Sequence, residues 1–170
     1  CMVEGFTPES AWHWKETIGD ISERPGRQNL WGYRATDGLG YHELLQFAED
    51  INAKPIFVVN CGMTCQGRNP VIQPLDQLEP WIQDALDAIE YANGGVDTTW
   101  GAKRAMNGHP APFNMQYITI GNENGGADYV TQYNQFAKAI NEKYPSINLI
   151  ANSRAEGMAA INFEEQHFYM

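Results

Sequence analysis

Glu123 lies in the stretch "YITIGNENGG", Tyr117 to Gly126, with Asn122 before it and no Lys or Arg beside it. A carboxyl placed where an apolar strand stops loses hydration, which raises its pKa and lets it hold a proton near neutral pH. Such a group can give that proton to a leaving oxygen and later take one from water. Gly121 on the strand side, with Gly125 and Gly126 beyond, permits the tight exit this needs. A Glu in this place can equally cap the next helix or stand in solvent. A second reactive group is Glu164, Glu165, His167 and Tyr169. It can ligate a metal, hydrogen-bond a ligand, or contain an ordinary satisfied histidine. Without a second His at ligand spacing, the metal reading is the weakest. On a strand, His167 and Tyr169 would share one face. Asn60 and Asn152 close two further apolar runs. The set is rich in amides and carboxylates and short of cations, which suits a neutral ligand with many hydroxyls.

The elements that must position these residues are short and apolar. "PIFVVN" ends at Asn60, "YITIGN" at Asn122 and "INLIAN" at Asn152, while "INFEEQHFY" reads as a less clean fourth strand. Continuous apolar runs of this kind belong to parallel strands covered on both faces. Three helices lie between them. The first, about Tyr41 to Ile51, puts Leu44, Leu45, Phe47, Ala48 and Ile51 on one side. In the second, Asp76 and Glu79 have capping-box spacing, Trp81, Ile82, Ala85, Leu86, Ile89 and Ala92 form the stripe, and Asn93-Gly94 stops it. The third opens at Asp128, carries Tyr129, Val130, Tyr133, Phe136, Ala137, Ile140 and Tyr144, and breaks at Pro145.

Strand and helix in alternation make an α/β chain. An open doubly wound sheet fits the length. A (β/α)8 TIM barrel needs about 250 residues, so this chain would be a part of one. Two features favour the barrel. No strand is followed by a Gly-rich phosphate loop. The long aromatic connections, Phe6 to Gly40 and Cys61 to Pro74, resemble the rim of a barrel's active face. In either architecture, reactive groups gather at the carboxyl ends of the strands. The loop "AWHWKETIGD" and then "NLWGYRATDG" places Trp12, Trp14 and Trp31 either as a ligand wall or as staples that hold the loop down.

The formal charge of −10 and the pI near 4.7 argue against nucleic acid, which needs a basic face. No run approaches the about 20 apolar residues of a membrane span. Of the three cysteines, Cys61 and Cys65 are close enough to pair, yet a lone C-x-x-x-C is a weak sign, and packed thiols are the simpler reading. The chain opens on "CMVEG" without a signal segment and closes on "EEQHFYM" within an expected strand, so it is expected to be part of a longer protein. No compartment is assigned.

Together "HWKETIGDISERPGR", "NLWGYRATDGLGYHELLQFAED", "VVNCGMTCQGR", "EPWIQDALDAIEYANGGVDTTWGAKRAMNGHPAPFNMQYITIGNEN" and "EEQHFYM" resemble the α-L-arabinofuranosidases of glycoside hydrolase family 51. The match runs over essentially the whole chain in the family's order. It implies that residues 1–170 are part of a single catalytic (β/α)8 barrel domain, roughly strands 2 to 6, with the accessory β-sandwich elsewhere. It implies a retaining glycoside hydrolase that releases terminal α-L-arabinofuranosyl groups from arabinan, arabinoxylan or derived oligosaccharides. Glu123 would be the acid/base and Asn122 would hold a sugar hydroxyl. His167 and Tyr169 occupy the family's His and Tyr near the sixth strand, and Asn60 and Trp14 lie near the expected substrate wall. No metal or organic cofactor is implied, and homo-oligomers occur among relatives. The nucleophilic Glu would lie beyond Met170, so this piece alone is expected to be inactive. Two departures stand out: Gln166 where many relatives are acidic, and Gly125 where an aromatic is common. Classes that remain open are a metal-dependent sugar isomerase or lyase using Glu123, Glu165 and His167, and a non-catalytic carbohydrate-binding module using the Trp-rich loop.

Overall fold

Pairing of four short segments sets the architecture. A computed structural model describes residues 3–29 and 31–168. In chain order the elements are β1 Arg27–Gln28, β2 Arg34–Ala35, α1 Tyr41–Asp50, β3 Ile56–Val59, α2 Glu79–Asn93, α3 Thr99–Met106, β4 Tyr117–Ile120, α4 Gly126–Lys143, β5 Asn148–Ala151 and β6 Phe163–Glu164. Strands β3, β4, β5 and β6 form one sheet in that order, all parallel. A parallel sheet joined by helices is the α/β class that the apolar runs imply. Contacts divide the chain into two compact units. The first comprises Cys1–Trp12, Ile56–Ala85 and Gln116–Met170, and the second His13–Pro55 and Leu86–Met115.

In the first unit, β4 and β5 each bury their last three residues, as continuous apolar runs should. β3 lies at one edge of the sheet and alternates instead, with Ile56 exposed and Phe57 and Val59 buried. The register is regular: Val59 pairs with Ile120, Ile120 with Ala151 and Ala151 with Glu164. The residues that follow, Asn60, Gly121, Asn152 and Glu165, therefore leave the sheet at one level. Helix α4 fits its expectation closely and buries Tyr129, Tyr133, Phe136, Ala137 and Ile140 at helical spacing. The expected fourth strand shrinks to Phe163–Glu164, both exposed. Its last pairing bond runs from Glu165 N to Ala151 O at 2.9 Å. His167 thus lies past the strand rather than on it, and the shared strand face expected for His167 and Tyr169 does not apply. Tyr169 lies outside the described residues.

The second unit is built on rings and on a buried guanidinium. Trp14 meets Tyr41, Tyr91 and Trp100 edge-on, with centroids 5.1, 5.5 and 5.0 Å away. Lys15 pairs with Asp87 at 2.5 Å and lies over the Trp100 ring at 4.9 Å. The Tyr41 hydroxyl donates to Ala88 O, and Thr17 Oγ1 accepts from Tyr41 N. α1 buries Tyr41, His42 and Leu45 and leaves Leu44, Phe47 and Ile51 exposed. The expected stripe was therefore wrong in direction: the packed face is the one whose Tyr and His find polar partners. Helix α2 ends at Asn93 as expected, but Asp76 belongs to a short 3-10 turn, Leu75–Gln77, and not to a capping box. Helix α3 was not foreseen. Its signals were Thr98, whose side chain accepts from Gly101 N, and Lys103 with Arg104 in the last turn. Arg104 is fully buried and donates to Tyr91 O, His109 O and Pro110 O at 2.7 to 2.9 Å, so its charge holds the turn after α3 together.

Candidate active site

Beyond β4 the chain must turn sharply, and Gly121 allows it. Its φ is +85°, and a Cβ there would come 2.6 Å from Asn124 Oδ1, 2.8 Å from Asn152 Oδ1 and 3.0 Å from Cys61 Sγ. Only a residue without a side chain fits. Asn122 N then donates to Asn124 Oδ1 at 2.8 Å, and Asn124 N to Asn152 Oδ1 at 3.3 Å. These amides fold "GNEN" into a compact turn that leaves Glu123 at its apex, in the left-handed region with φ +55°. A non-glycine residue in that conformation marks a turn held by its surroundings.

The Glu123 side chain points into a cavity of about 450 Å³ lined by Glu123, Asn124, Asn152, Glu165 and His167. Its side chain is 29% exposed, so the carboxyl is partly covered rather than desolvated. Glu123 Oε1 lies 2.9 Å from His167 Nδ1, and His167 Nε2 faces Glu165 Oε1 at 3.8 Å. Glu165 is held in turn by Asn152 Nδ2 at 2.5 Å. Alternation at the end of β6 explains why Glu164 is elsewhere: it pairs with Arg154 at 3.8 Å. Beneath the site, the Tyr129 hydroxyl donates to Ile120 O at 2.7 Å and accepts from Asn152 N at 2.9 Å. Burial pushes the Tyr129 hydroxyl well above the usual phenol range, so it stays neutral and can do both. Burial also pushes the Cys61 thiol up to about 12 and keeps it an S–H donor, 3.6 Å from Asn124 Oδ1.

The structure brings Glu123, His167, Asn152 and Glu165 together and holds Asn122 beside them. It parts company with two expected ligands. Asn60 donates to Val3 O and Glu4 O and accepts from Gly62 N and Met63 N, so its amide is used up in anchoring loops. Trp14 is 2% exposed, inside the ring cluster of the second unit, and offers no face to a sugar. It staples its loop, and that packing also undercuts the binding-module reading for this residue. Cys61 and Cys65 are buried thiols, as the simpler reading had it. Two site residues were missed. Asn124 had a signal, the second amide of "NEN". Glu4, which accepts from Asn122 Nδ2 at 3.0 Å, had none, since "CMVEG" belongs to no readable element.

The arrangement suits proton transfer better than metal binding. His167 turns opposite ring nitrogens toward the two carboxyls, and one imidazole can give an ion only one of them. Among the described residues, no group of three or more His, Cys, Asp or Glu is placed to hold a metal. No helix among them is long and apolar enough to cross a membrane.

Residues 1–170 match the family model described as the alpha-L-arabinofuranosidase 1 domain. The chain is 40% identical over 152 residues to an extracellular exo-alpha-L-arabinofuranosidase of Streptomyces chartreusis, covering 89% of this chain and 18% of that protein. It is 43% identical over 154 residues to alpha-L-arabinofuranosidase 1 of Arabidopsis thaliana, covering 89% and 22%. The chain thus spans about a fifth of the length of these curated relatives. Among solved structures, it resembles the arabinose-bound MgGH51 α-L-arabinofuranosidase at a TM-score of 0.85 and 34% identity, over 94% of this chain and 26% of that one. The arabinose complex of the Thermotoga maritima α-L-arabinofuranosidase follows at 0.66 and 27%, over 82% and 28%. Likeness to these structures makes the parallel sheet a region of a barrel. With the family model matched from end to end, the chain belongs to the alpha-L-arabinofuranosidase 1 domain family.

Proposed function

We propose that this chain supplies the acid/base half of a retaining glycoside hydrolase that releases terminal α-L-arabinofuranosyl groups from arabinose-containing polysaccharides or oligosaccharides. The observation that carries the reading is the meeting of Glu123, from the end of β4, with His167, from beyond β6, over one cavity. The names of the relatives and the arabinose-bound neighbours support the substrate class. On this reading β3 to β6 are the third to sixth strands of a single catalytic barrel, and the chain runs over roughly strands 2 to 6.

In the first step Glu123, as the acid, gives its proton to the glycosidic oxygen while a second carboxylate attacks the anomeric carbon. Retaining enzymes place the two carboxyls ~5–5.5 Å apart. By the family resemblance that second carboxylate sits on a later strand. In the next step Glu123, now a carboxylate, takes a proton from the water that cleaves the sugar from the enzyme. His167 holds the Glu123 carboxyl from one side, Asn122 binds a sugar hydroxyl, and Tyr169 is assigned to the same sugar.

The test is hydrolysis by the protein that carries this chain. Glu123→Gln is expected to lower kcat/KM on a sugar or alkyl leaving group by about a hundred- to ten-thousandfold, the usual range for a general acid. Aryl arabinofuranosides, whose leaving groups need little protonation, should lose far less in the first step. A variant that cleaves both substrates like the parent would remove Glu123 from the mechanism.

A further inference from the structure

His42, the second residue of α1, is 6% exposed, and its ring lines a cavity of about 390 Å³ within the second unit. Asp20, Glu43 and Asn107 line the same cavity. Gly19 and Gly108 border it, and a Cβ built on either would meet no atom within 4 Å. The protein uses only one side of the imidazole. Its Nδ1 lies 2.8 Å from the Tyr91 hydroxyl, which accepts from Asn107 Nδ2 at 2.8 Å. Tyr91 is fully buried, and burial pushes its phenol up to about 12, so it keeps its proton. Among the described residues, His42 Nδ1 is the acceptor within reach of that proton. The phenol therefore donates to Nδ1, while burial lowers the imidazole pKa and keeps the ring neutral at pH 7. A neutral imidazole that accepts at Nδ1 carries its hydrogen on Nε2. Nε2 has no protein partner among the described residues, yet it is not sealed off from solvent. A nearly buried ring thus turns its one unused donor to the cavity.

The walls narrow the class of ligand. Glu43 is engaged on both oxygens, by Arg24 at 2.7 and 3.0 Å and by Gly40 N at 2.8 Å. Asp20 is held by Ser22 through Oδ1, which leaves Oδ2 as an acceptor. Asn107 turns its NH2 to Tyr91 and keeps Oδ1 as a second acceptor. An anion would meet two carboxylates here, and a metal ion would meet an N–H. A hydroxyl fits, because its oxygen accepts while its hydrogen donates. Met106, 80% exposed, adds an apolar wall for the carbon face of a ring. We propose that this cavity is a second saccharide-binding pocket, in which one sugar hydroxyl accepts from His42 Nε2 and donates to Asn107 Oδ1 or Asp20 Oδ2. The geometry of the pocket is independent of Glu123, and the choice of a saccharide over another polyol rests on the furanosidase reading above. A protein that acts on chains of sugars gains from a second hold, since linked contacts raise each other's effective concentration.

The test uses the protein that carries this chain with Glu123→Gln, so that the probe survives. The probe is a linear arabino-oligosaccharide, followed by calorimetric titration and in crystals grown with it. The expected structure has a sugar oxygen within hydrogen-bond distance of His42 Nε2. Two substitutions separate the two nitrogens. His42→Asn supplies an acceptor near Nδ1 and nothing at Nε2, whereas His42→Gln places an amide N–H near Nε2. His42→Asn is expected to weaken binding at the cavity about tenfold and His42→Gln less than about threefold, as one hydrogen bond lost or kept would do. An equal loss in the two variants would reduce the ring to packing and overturn the proposal. Displacement of the probe from the cavity by inorganic phosphate or calcium would overturn it too, as would sugar around Glu123 with water alone at His42. The crystals hold His42 intact and so decide the matter even if neither variant folds. Sugar at His42 and none around Glu123 would uphold the pocket and count against the function assigned above, and sugar at neither place would sink both. Should Glu123→Gln still cleave the probe, that function falls, while the released sugar still reports on the cavity.

Discussion

Glu123 owes its position to its neighbours' side chains as much as to its own. The turn that presents it is closed by two side-chain amides, Asn124 and Asn152, and a thiol, and all three groups lie close to Gly121. Gly121→Ala would force a Cβ into that space at a left-handed φ. It is expected to lower kcat/KM by at least about a hundredfold, since displacements near 1 Å at a reacting group cost that much. Gly125→Ala is the control: its backbone is extended, and an added Cβ meets only Ser153 Oγ at 3.5 Å. Steady-state kinetics of the two variants check the contrast, and equal losses would contradict it. At this scale the sequence was partly legible. A carboxylate, a preceding amide and a glycine exit announced a site at Glu123. Asn60 and Trp14 misled because an amide or an indole beside a site looks the same from sequence whether it faces a ligand or a loop. Here Asn60 spends both ends of its amide on backbone, and Trp14 is enclosed by three other rings.

Between elements, the joint that matters most is made by one phenol. Tyr129 on α4 bridges the last carbonyl of β4 and the first amide after β5, so a helix residue fixes the spacing of two strand ends that carry the site. Tyr129→Phe keeps the ring and removes both bonds, leaving Ile120 O and Asn152 N without that partner. The expected cost is about 1–3 kcal/mol of stability, read as a lower urea midpoint. An unchanged midpoint would mean that water replaces the hydroxyl without loss. Helices with long stripes, α2 and α4, were readable because burial repeats over several turns. The short elements were not. α3 has eight residues and a single cap, and β6 pairs through only two residues, so neither leaves a pattern strong enough to stand above its surroundings.

For the whole molecule, acidity and a buried imidazole set the response to pH. His42 is buried in the second unit, with Nδ1 2.8 Å from the Tyr91 hydroxyl, which also accepts from Asn107 Nδ2. Burial lowers its pKa below the ordinary value of 6.5, against a smaller opposing pull from Glu43. The native state then binds fewer protons than the unfolded chain, so the contribution of His42 to stability is present above about pH 6.5 and is lost as pH falls from there through its lower native pKa. Thermal unfolding followed from pH 7.5 to 5 should show the decline, and His42→Gln should flatten that part of the profile. An identical slope in the variant would assign the titration to another group. The α/β class was legible because parallel strands read as unbroken apolar runs, whereas the division into two units left no mark in composition. The level exit of Asn60, Gly121, Asn152 and Glu165 has a practical corollary. A sheet assembled out of step would keep its circular dichroism yet scatter those four positions along its length. Turnover regained after refolding would therefore count only molecules whose strands are in step, while spectroscopy would count them all.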